Sequence, residues 1–245
     1  VAKDTGLTQG GTIVVDRGRQ AVYGDRRDAQ DRPEIVRISL QDGTVTRLAP
    51  GWGPALSPDG STLAFVGPLL GKPTYERFAE KALVLLDLGS GEARHVPDGT
   101  GEQFMRVVEN PAWTPDGYHV LLQTGWTNEI GPPDVRQVTI DPDDLPATLL
   151  DAQKLEHPDL VPERQLFQVF PLPDGRLVAS EDVWQQEGEF EWSSTTNLLV
   201  LGDGAVRSRT ALPVSAREDG DLVKVVSVAG GQGSTVAVTL QRWDS

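Results

Sequence analysis

A four-residue turn sequence recurs in this chain at nearly constant spacing, each time inside an apolar segment. It occurs as Ser57-Pro58-Asp59-Gly60, Thr114-Pro115-Asp116-Gly117 and Leu172-Pro173-Asp174-Gly175. Proline at the second position fixes φ near the value that a type I turn needs, and glycine at the fourth accepts a left-handed conformation. Each occurrence therefore predicts a tight hairpin with a bulge, which joins two antiparallel strands.

The spacing of these turns indicates a structural repeat. Asp59 and Asp116 are 57 residues apart, and Asp116 and Asp174 are 58 apart. Each hairpin has a second strand-turn-strand segment after it, as in LVLLDLGSGEARHV at 83–96. Units of four strands at such a period are typical of propeller blades.

We therefore predict an all-β fold, a β-propeller of four-stranded antiparallel blades in a single domain over 1–245. The predicted blades are 12–49, 53–96, 107–150, 166–212 and 223–245. We expect five blades, with six as the alternative. The last blade is predicted to be incomplete, because 223–245 supplies only two strands. Residues 1–8 could close the last blade as an added strand, or the chain could continue past 245. Residues 74–86 favour at most a short helix before a strand.

Three segments carry a family resemblance. PALSPDGSTLAFVG, PAWTPDGYHVLLQTG and LVLLDLGSGEARHV resemble the PD40 repeat of TolB-like, WD40-like β-propellers. The resemblance implies that the Ser-Pro-Asp-Gly hairpin joins the two inner strands of a blade, and that the Asp-Leu-x-Gly type of hairpin joins the outer two. TolB-like propellers serve as protein-binding modules, as gating domains of peptidases and as envelope lipoproteins, so the fold alone leaves the function open.

Composition excludes several partners. The net charge of −14 argues against binding to nucleic acid or to anionic lipid, which needs a clustered positive surface. No run of about 18 apolar residues is present, so we expect no membrane insertion by this segment. The first residue is Val1 rather than methionine, so we expect that an upstream segment, such as a signal peptide or anchor, has been removed. Together with the resemblance, this favours an extracytoplasmic location: periplasmic, cell-surface or secreted.

Blade topology divides the connections between two ends. If the strands of a blade are a, b, c and d, the a–b and c–d turns lie at one end, which we call the turn face. The b–c and d–a connections lie at the other end, the long-loop face. The b–c connections are predicted at 25–33, 67–80, 125–133 and 181–194, and the d–a connections at 97–106, 151–165 and 213–222. Long loops on a rigid scaffold commonly carry function, so the long-loop face is the predicted working surface.

The candidate binding residues are the aromatic and basic side chains of these loops: Tyr75, Trp126, Trp184, Phe190, Trp192, Arg26 and Arg27. Exposed aromatic residues are typical anchors for partners. One alternative is that loop aromatics fold over the blades as small buried clusters. The segment 185–192 is equally compatible with a β-hairpin extension, and the arginines with a salt-bridged surface turn. Trp52 and Trp113, next to inner strands, are predicted to belong to the core.

Nothing in the sequence singles out a catalytic, metal or cofactor site. The three histidines are spread over different units, and no nucleophile elbow, phosphate loop or dinucleotide motif is present. Asp141-Pro142-Asp143-Asp144 lacks the closing glutamate of a dedicated calcium loop. We expect a non-catalytic binding or scaffolding domain of the bacterial cell envelope, whose long-loop face takes a protein or a small neutral or cationic ligand. The alternatives are a glycosidase- or peptidase-associated propeller hydrolase, the propeller portion of a larger enzyme, or an extracytoplasmic sensor domain of a membrane-anchored protein.

Overall fold

Every regular element among the described residues is a β-strand. The structure, a computed structural model, describes residues 12–69, 80–99, 105–127, 134–155, 166–172, 174–186, 192–202, 205–215, 222–230 and 236–243. In these residues there is no helix long and apolar enough to cross a membrane. The chain divides into two compact units, Val1–Leu155 and Glu156–Ser245.

The first unit contains twelve strands in three sheets. They are β1 (Ile13–Asp16), β2 (Ala21–Arg27), β3 (Pro33–Ser39), β4 (Val45–Pro50), β5 (Trp52–Leu56), β6 (Thr62–Pro68), β7 (Lys81–Asp87), β8 (Ala93–Pro97), β9 (Met105–Trp113), β10 (Val120–Thr127), β11 (Asp134–Ile140) and β12 (Gln153–Lys154). Each group of four consecutive strands forms one antiparallel sheet in which sequence neighbours pair.

The second unit contains six strands. They are β13 (Leu166–Pro171), β14 (Leu177–Gln186), β15 (Trp192–Gly202), β16 (Ala205–Ser215), β17 (Leu222–Gly230) and β18 (Val236–Trp243). The first four form one antiparallel sheet in chain order, and β17 and β18 form a two-stranded sheet. The predicted all-β fold of four-stranded antiparallel blades is therefore confirmed. Residues 1–8 and residues 74–79 of the predicted short helix lie outside the described residues.

The repeated turns form the predicted hairpins. The Gly60 amide donates to the Ser57 carbonyl at 2.8 Å, and Gly60 has φ of 74°. The Ser57 amide donates to the Thr62 carbonyl at 2.9 Å, so Leu56 pairs with Leu63. The equivalent amides of Gly117 and Gly175 also donate three residues back. The turn sequence thus fixes the register of the inner strand pair in three sheets.

Successive side chains of β6, in the second sheet, contribute alternately to two hydrophobic cores of the first unit. Leu63 and Phe65 of β6 pack with Tyr23 and Ile35 of the first sheet. The intervening residues of β6 pack on the other side against the third sheet, in a cluster that includes Ala64, Val66, Leu83, Val108, Leu122, Val138 and Ile140. Since successive side chains of a strand point to opposite sides, a sheet buried on both sides needs a continuous apolar run. That requirement explains the sequence Leu63 to Val66.

The fourth strand of the third sheet lies later in the chain than predicted. β12 is only Gln153–Lys154, beyond the predicted limit of 150, and Val138 pairs with Lys154. Residues 141–152 instead run along β8: the Leu149 amide donates to the Pro97 carbonyl at 2.8 Å. Pro142 and Pro146 have no amide hydrogen for a sheet ladder, which explains the displacement. The predicted d–a connection 151–165 therefore contains β12, and the c–d connection of this sheet is a long one.

A glycine permits the crossing from the first sheet to the second. The Gly51 amide donates to the Pro33 carbonyl at 3.0 Å, between the end of β4 and the start of β5. A Cβ atom at Gly51 would lie 2.5 Å from the Val66 carbonyl oxygen, and its φ is 149°. Both the backbone conformation and the close approach therefore require glycine at this position.

We predict that Gly51→Ala destabilises the protein by more than about 2 kcal/mol, because backbone must move to relieve the clash. Gly91→Ala is the matched control: Gly91 has φ of 76°, but a Cβ there meets no atom within 4 Å. Gly91→Ala should lower the free energy of unfolding by only about 1 kcal/mol, the cost of placing alanine in the left-handed conformation. Urea unfolding of the two variants measures the difference, and equal losses would contradict the close-packing explanation.

Candidate functional site

At the turn face, the aspartates of the repeated hairpins accept hydrogen bonds from groups of their own turns. The Asp59 Oδ1 atom accepts from the Ser57 hydroxyl at 2.6 Å and from the Ser61 amide at 2.9 Å. Asp116 accepts in the same way from the Thr114 hydroxyl and from the Tyr118 amide. The Ser57 hydroxyl lowers the pKa of Asp59, and the Thr114 hydroxyl lowers that of Asp116. These carboxylates hold turns together.

At the long-loop face of the first sheet, two arginines flank a buried glutamate. Arg26 Nε lies 2.8 Å from Glu34 Oε1, and Arg47 Nε lies 2.8 Å from Glu34 Oε2. The Glu34 side chain is 5% exposed, whereas those of Arg26 and Arg47 are 31% and 55% exposed. Strand pairing explains the meeting: Arg26 is opposite Glu34, and Arg47 is opposite Val36, two residues further along β3. A buried carboxylate needs such partners.

The b–c connection of the first sheet is a salt-bridged turn, as one of the alternatives proposed. Asp28 Oδ1 accepts from the Gln30 and Arg32 amides, and Asp28 Oδ2 lies 2.8 Å from Arg32 Nε. The Arg32 side chain, followed by its amide, lowers the pKa of Asp28 to about 2. Arg27 lies 3.3 Å from Asp31 and is exposed. Charged side chains therefore order this turn at the surface.

Asp25 is buried beside the same turn. Its carboxylate accepts a long hydrogen bond from the Gly53 amide, at 3.5 Å. Burial raises the pKa of Asp25, and the backbone hydrogen bonds from Gly53 and Thr12 oppose this rise. The carboxyl group therefore connects the start of β1, the end of β2 and the start of β5.

The same end of the second sheet carries an aromatic residue, a cation and a buried carboxylate. Lys81 Nζ lies 5.7 Å from the centre of the Trp52 ring, within the range of a cation–π interaction. The Asp98 amide donates to the Lys81 carbonyl at 2.9 Å. Trp52 and Trp113 are partly buried against the core, and Trp113 donates to the Ala55 carbonyl. Their predicted place in the core is confirmed.

Three of the predicted binding tryptophans lie in strands rather than in loops. Trp126 pairs with Asp134 at the end of β10, and Trp192 pairs with Gln186 where β14 and β15 begin to pair. Trp184 pairs with Ser194 in the same hairpin. The b–c connection predicted at 181–194 is thus shortened to 187–191, because antiparallel pairing continues outward into the hairpin extension that was the alternative. Tyr75 and Phe190 lie outside the described residues.

In the second unit, a buried glutamate again holds an outer-strand arginine. Glu181 of β14 is 4% exposed and lies opposite Asn197 of β15. Arg209 of β16 approaches Glu181 Oε2 at 3.2 Å, and its side chain is 46% exposed. The charge pair therefore connects an inner strand with the outermost strand of this sheet.

Comparisons with known proteins identify the fold. A structure assigned to TolB from Agrobacterium tumefaciens matches with a TM-score of 0.50 and 13% identity, over 78% of this chain and 60% of that one. The chain has the fold of a TolB-like β-propeller. A crystal structure of puromycin hydrolase matches with a TM-score of 0.52 and 14% identity. This match covers 95% of the present chain and 35% of the hydrolase.

The chain thus spans less than two thirds of either solved structure. No family model matches its sequence, and no curated protein does. At such low identity the likeness concerns the fold alone, so it assigns no activity and no site residue.

Sequence reasoning missed Glu34 and Arg47 as members of the site. Neither residue lies in a predicted loop, since both belong to outer strands of the first sheet. The sequence shows a glutamate in β3 and an arginine in β4, but no motif or spacing pairs them. Only the register shows that these residues and Arg26 meet on one side of the sheet.

Two aspartates of this region should affect stability in opposite directions. Burial raises the pKa of Asp25, so its ionisation costs stability as pH rises through that pKa, and Asp25→Asn should stabilise the protein at pH values above it. Each pH unit by which folding raises a pKa corresponds to about 1.4 kcal/mol of stability lost when the group ionises. The pKa of Asp28 is lowered to about 2, so its contribution is present above about pH 4 and is lost towards pH 2.

Thermal melting of Asp25→Asn, Asp28→Asn and the wild type between pH 2.5 and 7 measures this difference. Asp28→Asn should lower the melting temperature at pH 7 and approach the wild type near pH 2. Asp25→Asn should raise it at pH 7 and match the wild type at the acid end. A fall for Asp25→Asn at pH 7 would show that its hydrogen bonds outweigh the desolvation of its charge.

Proposed function

We propose that this chain is a non-catalytic binding or scaffolding module of the bacterial cell envelope, and that it takes a protein or a small ligand at its long-loop face. The TolB-like fold is compatible with this role, since propellers commonly bind their partners with the loops at one end. The envelope location follows from the resemblance of the repeats to TolB-like propellers. The predicted anchors are Tyr75, Trp126, Trp184, Phe190, Trp192, Arg26 and Arg27.

The observation that carries the proposal is the difference between the two ends of the described sheets. At the turn face, the polar groups of the repeated hairpins are used within each turn, as at Asp59 and Asp116. At the long-loop face, Arg26 and Arg27 are ordered by carboxylates and remain accessible. Ordered but accessible charged groups lose little entropy when a partner binds.

The hairpin β14–β15 supports the choice of Trp184 and Trp192. Trp184 is opposite Ser194 and Gln186 is opposite Trp192, so the two tryptophans are diagonal positions on one side of the hairpin. Diagonal positions in an antiparallel pair lie about 7–8 Å apart. A pair of this kind is a typical anchor for a partner.

A second candidate is the propeller portion of a larger hydrolase. It is favoured by the match to puromycin hydrolase, in which this chain is equivalent to 35% of the longer protein. A propeller portion would gate or position a substrate for a catalytic domain elsewhere in the parent protein. The described histidines do not suggest chemistry in this chain itself: His95 lies on β8, and His119 precedes β10 in another sheet.

Replacement of Trp184 and Trp192 by alanine should abolish capture of an envelope partner and leave the melting temperature nearly unchanged. Tyr118→Ala is the matched control, because Tyr118 is a 71% exposed aromatic residue at the turn face. Affinity capture from envelope extract, with the three proteins at equal concentration, measures the effect. Loss of folding in the double variant would place both tryptophans in the core, and equal loss of capture with Tyr118→Ala would contradict the choice of face.

A screen for hydrolysis separates the two candidate functions. The purified chain should show no turnover of glycosides, lactones, aminoacyl amides or peptides above a heat-denatured control. Photo-crosslinking adds a positive readout: a benzophenone amino acid at Arg27 should label a partner, and the same group at Tyr118 should not. Turnover by the chain alone would overturn the non-catalytic proposal.

A further inference from the structure

We propose that Arg26 and Arg47, held by Glu34, form a carboxylate-binding site that takes an acidic, extended segment of a partner protein. This inference rests on the proposed binding function and specifies its chemistry at one location. The site lies on one side of the first sheet, at its long-loop face, and consists of the three charged residues and the exposed side chains of Ile13 and Val15 in β1.

The geometry leaves both guanidinium groups available. Each arginine contacts Glu34 through Nε, and the two contacts use different carboxylate oxygens. In the described part of the chain, neither Arg26 nor Arg47 has a hydrogen-bond or ion-pair partner other than Glu34. Since a guanidinium group presents its donors as a planar fork, a side chain fixed through Nε can still bind a second carboxylate through Nη.

Burial of Glu34 makes this arrangement rigid. The carboxylate is nearly inaccessible, whereas both arginines reach the surface. A buried charge without partners is costly, so Glu34 restrains both arginine side chains in the free protein. The entropy of ordering them is thus lost on folding rather than on binding, which favours recognition of an incoming anion.

Local charge points to an anion despite the acidic chain. Two arginines and one glutamate leave a local charge of +1 within a protein of net charge −14. Interactions between exposed charges are screened beyond about 8–10 Å at physiological ionic strength. A short acidic segment at the site therefore experiences mainly the two arginines, whereas a long polyanion such as RNA also experiences the negative field of the whole surface.

The neighbouring strand suggests the second feature of the ligand. Ile13 and Val15 of β1 are each 54% exposed, on the same side of the sheet as Arg26. Ile13 is opposite Gly24, two residues before Arg26, so Ile13 and Arg26 are diagonal neighbours about 7–8 Å apart. Val36, further out on the same side, is fully buried, so the accessible surface is the inner strand and the arginines.

This spacing matches an extended peptide. Residues i and i+2 of an extended chain lie about 7 Å apart on the same side. A glutamate or aspartate at position i would reach Arg26 and Arg47, and an apolar residue at i+2 or i−2 would cover Ile13. The structure therefore favours a segment with an acidic and an apolar side chain two residues apart.

The test uses the full 245-residue chain and two fluorescein-labelled octapeptides, one of four Glu-Val repeats and one of four Gln-Val repeats. Fluorescence anisotropy measures the dissociation constants. The glutamate peptide should bind at least about tenfold more tightly than the glutamine peptide, as expected for one charge-assisted contact. Arg26→Gln and Arg47→Gln should each remove most of that preference.

Two further variants make the result specific. Arg26→Lys keeps a positive charge beside Glu34 but lacks the guanidinium fork, so it should keep the fold and still weaken the glutamate peptide about fivefold. Arg17→Gln removes one exposed charge at the turn face and should leave binding unchanged. The melting temperature of each variant shows whether it folds.

Several outcomes would overturn the inference. These are equal affinity for the two peptides, equal weakening by Arg17→Gln and Arg26→Gln, no effect of Arg26→Lys, or tighter binding of a single-stranded RNA octamer than of the glutamate peptide. If these peptide assays fail while Trp184 and Trp192 still determine capture of an envelope partner, only the carboxylate-binding site is contradicted. If the peptide assays and the capture assay both fail, the proposed binding function is contradicted as well.

Discussion

Burial of the second sheet on both sides is the constraint on which the first unit depends. Leu63 and Phe65 face the first sheet, and Ala64 and Val66 face the third. Full burial of a side chain of this size contributes about 1.5–3 kcal/mol, so the strand β6 stabilises three sheets at once. A one-residue slip of β6 would exchange the two sets of side chains and disturb both cores. The register of its hairpin must therefore be fixed.

The hairpin turn provides that register locally. Pro58 and Gly60 favour the two backbone conformations of the turn, and Asp59 binds the flanking hydroxyl and amide groups. The same chemistry recurs at Thr114 and Leu172, which is why the repeat is visible in sequence. The carboxylates of Asp59 and Asp116 are therefore used to stabilise their own turns.

Much of the architecture could be predicted because turn chemistry and strand alternation are local. The predicted inner strand pair at Leu56 and Leu63 is the observed one. Predictions were less accurate where the determining contacts are distant in sequence. The fourth strand of the third sheet lies at Gln153–Lys154 because residues 141–152 pack against β8, about 50 residues earlier. Trp184 and Trp192 were predicted as loop residues because their segment is rich in polar residues. Pairing between β14 and β15 instead places them in strands.

The candidate site shows the same limit. Arg26 was predicted as a binding residue from its place in the predicted connection 25–33, but its partner Glu34 and the second arginine, Arg47, were not predicted. By itself the sequence determined the turns, the alternating strands and the four-strand repeat, because each depends on the conformational preferences of residues close together in the chain. Only the tertiary structure decided that Arg26, Glu34 and Arg47 meet on one side of the first sheet. The physical reason is that strand register and side-chain burial depend on contacts between strands, and these contacts leave no signature in any single short segment.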